Sequence, residues 1–198
     1  MKRLRAGSGM AAALLFGFLF LAAGCGKSGP TSFYALSGPQ TPALSGGACL
    51  SLGVGPVETP AYLARNSLMI RDGENKLKLL DFEEWAEPVS DGLTRVLAEN
   101  LGTLVCARPL VTYPWPAGVS PDYQITVQTQ RFDGAPGKDV VLKATWAILD
   151  KNGELAAWDS FDGAEPAGGN FASMAAAMSR LAARLAGNMA RALDTAVK

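Results

Sequence analysis

Tyr123-Gln124-Ile125-Thr126-Val127-Gln128-Thr129-Gln130-Arg131-Phe132 is the stretch from which the fold is read. Tyr123, Ile125, Val127 and Thr129 fall on one side, and Gln124, Thr126, Gln128 and Gln130 on the other. Side chains of a strand point alternately to opposite faces, so this is a half-solvated strand. Its wet face carries three glutamines and no charge. That composition suits a channel wall or a subunit contact, but the sequence alone favours an ordinary exposed face. The next run, Asp139 to Leu149, is apolar on both faces, which predicts a central strand. Lys151-Asn152-Gly153 is an Asn-Gly hairpin signal. Leu155 to Phe161 then closes a three-stranded meander.

After the meander, the spacing predicts a helix over Phe171 to Val197. Phe171, Met174, Ala175, Met178, Leu181, Ala182, Leu185 and Met189 recur on one face. Arg180, Arg184, Asn188, Arg191 and Thr195 line the other. The apolar face predicts packing on the sheet. The basic face leaves a membrane-surface helix as the alternative.

Before the meander, Leu50 to Val57 is a strand candidate with Gly53 and Gly55 inside it and Pro56 near its far end. Leu68 to Arg71 and Lys76 to Leu80 predict a hairpin. A first helix is expected from Trp85 to Leu101, with Pro88 in its first turn and Gly102 ending it. Glu83, Glu84, Glu87 and Asp91 would then sit near the positive end of the helix dipole. That reading is preferred to a catalytic or metal-binding carboxylate cluster. Leu104 to Val111 is a further strand, followed by a stiff aromatic loop, Tyr113-Pro114-Trp115-Pro116. The whole is α+β: a mixed, mainly antiparallel sheet with two helices packed on one face.

The N-terminus carries a different signal. Lys2, Arg3 and Arg5 precede a short apolar run from Ala11 to Ala23, and small residues lead to Cys25. The run is shorter than the roughly 20 residues of a membrane span. It has the form of a processed export signal, and Cys25 makes it a lipoprotein signal. Cleavage before Cys25 leaves a cysteine able to carry a diacylglycerol and an N-acyl chain such as palmitate, anchored but spanning nothing. Leu21 stands four residues before the cysteine, where the usual lipobox has leucine three before. An ordinary secretory signal and a true anchor helix are the other readings. Gly26 follows, and by resemblance to sorted lipoproteins this favours the periplasmic face of the outer membrane. The expected organisation is a signal peptide over 1–24, a lipidated flexible tether over 25–47, and one domain over 48–198. Phe33, Tyr34 and Leu36 interrupt the Gly/Ser/Pro-rich tether as a short docked strand.

Composition bounds the chemistry. The signal holds three basic and no acidic residues, so the remaining 174 residues carry 15 basic against 18 acidic, a net charge of −3. No basic stripe points to nucleic acid. There is no histidine, which removes Ser-His-Asp triads, histidine acid–base catalysis and most catalytic zinc sites. No catalytic or metal-binding residue is assigned, and no cofactor beyond the acyl groups. Cys49 and Cys106 are the other cysteines. In an oxidising compartment they are candidates to pair; two buried thiols in neighbouring strands is the alternative.

Three stretches resemble a known family. Leu52-Gly53-Val54-Gly55-Pro56-Val57-Glu58-Thr59-Pro60-Ala61-Tyr62-Leu63-Ala64-Arg65 is similar to the family's opening strand and "P-x-Y-L" turn. Trp85-Ala86-Glu87-Pro88-Val89 is similar to its "W-A-x-P-L". Tyr123 through Trp146 carries Arg131-Phe132 and Ala144-Thr145-Trp146 at its strand landmarks. In this order and spacing they resemble the ABC-type transport auxiliary lipoproteins, the PqiC-like group. The resemblance implies a non-enzymatic, membrane-anchored part of an envelope lipid transport system. It implies a homo-oligomeric ring at the outer membrane, with an MCE-domain tunnel protein and inner-membrane permease components as partners. Pro60, Tyr62, Leu63 and Trp85 are the candidate subunit or partner contacts, with covering of the core edge as the alternative for Tyr62 and Leu63. A ring lipoprotein of polysaccharide export and a monomeric structural lipoprotein are the competing functions. The cysteine pair and the glutamine face have no counterpart in the resemblance.

Overall fold

The alternating stretch is β6 (Tyr123–Asp133), the middle strand of a five-stranded sheet ordered β5-β2-β6-β7-β8. The computed structural model describes residues 29–39 and 49–197. The signal peptide, Cys25 and most of the expected tether lie outside the described residues. All elements below belong to one compact unit, Thr31–Lys198.

Ile125, Val127 and Thr129 point into the core as the alternation requires. Strict alternation would then turn Phe132 outward, yet it is fully buried. The cause is a bulge: Thr129 pairs with Ala144 while Arg131 pairs with Lys143, so Gln130 is an extra residue. The phase shifts, and Phe132 and Asp133 both end buried.

β7 (Asp139–Asp150) has a partner on each side, as its apolar run predicts, but only one face is covered: Val140, Leu142, Ala144, Trp146 and Ile148. β8 (Leu155–Pro166) pairs with β7 along its whole length, so it runs five residues past the expected end at Phe161. Gly153, at φ 81°, closes the hairpin between them. On the other side, β2 (Leu50–Glu58) lies parallel to both β6 and β5 (Ala107–Thr112). Pro56 does not end β2; a register shift between Val54 and Val57 carries the strand past it.

A second, three-stranded sheet has the order β1-β4-β3. β3 (Ser67–Arg71) and β4 (Leu77–Trp85) form the expected hairpin, and β1 (Ser32–Tyr34) is the short docked strand, parallel to β4. Both sheets are mixed, and the two longest pairings, β6–β7 and β7–β8, are antiparallel.

Two helices cover one face of the large sheet. α1 (Val89–Leu104) lies on β2 and β5, and α2 (Phe171–Ala196) on β7 and β8. They also pack on each other. The α+β architecture is therefore the one expected. α2 starts at a capping box: Asn170 Oδ1 accepts from the Ser173 amide at 2.8 Å, and Ser173 Oγ accepts from the Asn170 amide at 3.3 Å. Its Met174, Met178, Leu181, Leu185 and Met189 are buried, so the apolar stripe is used within the fold rather than at a membrane surface.

The first helix is shifted from expectation. Trp85 is the last residue of β4, because Tyr34 of β1 pairs with it. Pro88 is the N-cap, and of the four acidic residues only Asp91 lies in the first turn. Gly102 is inside α1 rather than ending it. A Cβ there would stand 3.1 Å from the Leu110 side chain, so this glycine permits close approach of β5.

Candidate functional site

The most highly organised polar cluster centres on Asp133, the final residue of β6, whose side chain has no exposed surface. Its Oδ1 accepts from Arg71 Nε at 3.1 Å and Arg131 Nε at 2.9 Å. Its Oδ2 accepts from Arg71 Nη2 at 2.6 Å and the Tyr62 hydroxyl at 2.8 Å. Arg71 ends β3, and its amide also donates to Gly134 O at 2.8 Å. Tyr62 lies in a single 3-10 turn, Ala61–Leu63. One carboxylate thus ties the turn and the small sheet to the large sheet.

Burial pushes the Asp133 carboxyl up, but hydrogen bonds from Arg71, Tyr62 and Arg131 outweigh it and hold the carboxyl below its usual range. Burial, and then the bond to Asp133, push the Tyr62 phenol up to about 12. A carboxylate offers about four lone-pair sites, and all are taken. A general base needs a free lone pair and a pKa near the working pH. Asp133 has neither, so the cluster is a clamp and not a catalytic centre.

Among the residues expected to make contacts, Leu63 and Trp85 are each 5% exposed and belong to the core. Trp85 closes β4 and does not open a helix. Pro60 and Tyr62 stay half-exposed, with Tyr62 held by Asp133. The turn therefore covers the core edge. Cys49 and Cys106 are joined by a disulfide with Cα atoms 4.7 Å apart, linking the residue before β2 to the residue before β5. The lipidation site expected at Cys25 lies outside the described residues.

The acidic residues before α1 do not converge. Glu83 accepts from the Tyr34 hydroxyl, and Glu87 pairs with Arg95, which also bonds Glu99. Among the described residues no three His, Cys, Asp or Glu side chains gather where they could hold a metal ion. Nor is any described helix long and apolar enough to cross a membrane.

The glutamine face is the uncovered side of the large sheet. Gln124 Nε2 donates to Gly55 O at 2.9 Å and Gln130 Nε2 to Thr145 Oγ1 at 3.1 Å, while Gln128 faces solvent. Thr126 pairs with Ala147, which pairs with Trp158 on the edge strand β8. Trp158 is 68% exposed and Leu155 58%. Between them and Pro56, Glu58, Gln128 and Thr145 lies a cleft of about 490 Å³. Towards the other edge, the Trp115 indole lies on Gly53, where a Cβ would come within 2.7 Å of the ring. Tyr113 meets Trp115 edge-on at 5.5 Å. The aromatic loop is thus partly used in covering β2. Sequence reasoning missed Trp158; its signal is the pairing with Ala147, which places it on the glutamine side.

The family model for the ABC-type transport auxiliary lipoprotein component matches residues 34–190. The chain belongs to this family. The resemblance read from Leu52 to Arg65, Trp85 to Val89 and Tyr123 to Trp146 is thereby borne out. This auxiliary lipoprotein component is similar in fold to two crystal structures of low sequence identity. One, of an uncharacterised protein, is 21% identical at a TM-score of 0.66, covering 82% of this chain and 98% of that one. The other, a Xanthomonas campestris protein of the DUF330 family, is 18% identical at 0.64, covering 81% and 93%. A PelC dodecamer from Paraburkholderia phytofirmans is 13% identical at 0.44, covering 73% and 92%, a likeness too low to carry an argument. No curated protein matches the chain.

Proposed function

We propose that this auxiliary lipoprotein component is acylated at Cys25 and held at the periplasmic face of the outer membrane. There it assembles as a homo-oligomeric ring that receives the MCE-domain tunnel protein of an envelope lipid transporter. It has no catalytic step of its own. The observation that carries this reading is the family match over residues 34–190, which makes the chain a lipoprotein component of an ABC-type transport system. Three features support the finer reading. Gly26 after Cys25 favours the outer membrane by resemblance. The best-organised carboxylate is saturated by its partners and suits a scaffold. Exposed Trp158 and Leu155, beside a cleft whose lining carries one charged residue, Glu58, give a surface suited to subunit contact.

The test is affinity purification of the full chain from crosslinked cells. The reading predicts co-purification of an MCE-domain protein and its permease, reduced by Trp158→Ser because the assembled ring is what receives the tunnel. Recovery with polymer-synthesis proteins instead would contradict it.

A further inference from the structure

Two cavities meet on α2, and their chemistry differs. The first, about 720 Å³, opens between the C-terminal turns of α2 and the end of α1. Leu104, Val105, Leu193 and Val197 are among its lining residues, and Leu104 and Val197 are 45% and 48% exposed. The second, about 520 Å³, lies between α2 and β8. Arg184, Asn188 and Arg191 of α2 face it, with Ser160, Phe161 and Asp162 of β8. Gly187 and Arg191 line both cavities.

Gly187 is the saddle between them. A Cβ there would meet only Arg191 Nη1, at 3.7 Å, so the bare helix surface is open space rather than a packing contact. The charges around it are unequal. Arg184 lies over the Phe161 ring at 5.8 Å and bonds Ala164 O at 2.9 Å and Glu165 at 3.4 Å. Asp162 is neutralised by Lys143 at 2.7 Å. Asp194 stands on the rim of the apolar cavity. The Arg191 guanidinium makes no hydrogen bond or ion pair among the described residues.

We infer that the two cavities form one site for a single anionic lipid, with its hydrocarbon chain along Leu104, Val105 and Val197 and its headgroup over Gly187 against Arg191. A cation with no partner among the described residues, at the mouth of an apolar cleft, is complementary to an anionic amphiphile. The sizes fall within the range of small-ligand clefts.

The site deepens the transport reading by giving lipid a place on this domain. Binding is read alone in the test, so it succeeds or fails separately from ring assembly and docking. The full-length protein is reconstituted in phosphatidylcholine vesicles doped with phosphatidylglycerol bearing a diazirine at its chain end, then irradiated and digested. Labelling is expected at Leu104, Val105 and Val197. Arg191→Glu should lower it by about tenfold, the effect of reversing one favourable charge. Gly187→Leu should do the same by closing the saddle; the position is partly exposed, a Cβ there meets only Arg191 Nη1 at 3.7 Å, and leucine favours the helix over glycine, so folding is retained; a thermal melt checks this. A diazirine phosphatidylcholine probe should label these residues several-fold less. Equal labelling by both probes, indifference to both substitutions, or labelling spread along the outer face near Arg180 and Arg184 would overturn the site. The last pattern would mean contact with a bilayer surface.

Discussion

The Tyr62 hydroxyl donates to the Asp133 carboxylate at 2.8 Å, across 71 residues of sequence. This bond fixes the turn after Pro60 against the end of β6, beside the Arg71 pair that joins the two sheets. Tyr62→Phe removes one donor and leaves three, and should cost about 1–2 kcal/mol. Arg71→Ala strips two of the four bonds from a fully buried carboxylate and should cost more, about 2–4 kcal/mol. Urea unfolding of both variants measures the difference, and equal small effects would contradict the clamp.

The same cluster has a signature at both ends of the pH scale. The folded Asp133 carboxyl is depressed, so its stabilisation is present above the unfolded value of about 3.9 and is lost as pH falls through the folded value. Asp133→Asn should therefore flatten the acid limb of the stability profile below about pH 4. Tyr62 is raised to about 12, so its contribution is complete below about pH 10 and is lost as pH rises from there through about 12. Ultraviolet titration should show one tyrosine ionising near pH 12 that Tyr62→Phe removes.

The Thr129 hydroxyl is buried in the core and has no hydrogen-bond partner among the described residues. Valine has nearly the same shape without the unpaired oxygen. Thr129→Val should raise stability by about 1 kcal/mol, seen as a higher unfolding midpoint at unchanged denaturant slope.

Cys49 and Cys106 close a loop across 57 positions. In the chain-entropy account such a link contributes about 4 kcal/mol by restricting the unfolded chain. Reduction, or the double Cys→Ser variant, should lower the melting temperature strongly while the native circular dichroism spectrum is retained at low temperature.

Local patterns were legible and long-range pairing was not. The alternation of Tyr123 to Gln130 located β6 and its dry face. The extra residue at Gln130 was hidden, because a bulge is a property of two strands and not of one. Trp85 reads as a helix residue by its neighbours Glu84 and Pro88, yet pairing with Tyr34 makes it strand. The periodicity of Met174, Met178, Leu181, Leu185 and Met189 gave α2 nearly to the residue. The clamp was invisible in sequence because Arg71 and Tyr62 lie 62 and 71 positions from Asp133. Trp158 was missed for the same reason: which side of an edge strand is wet is decided by its partner.

The most direct test of the account is the mass of the mature protein extracted from membranes in mild detergent, measured natively and after denaturation. The account predicts a denatured mass equal to residues 25–198 plus acyl chains, and a native mass at a fixed multiple of it. An unacylated species that stays monomeric would contradict both the anchor and the ring.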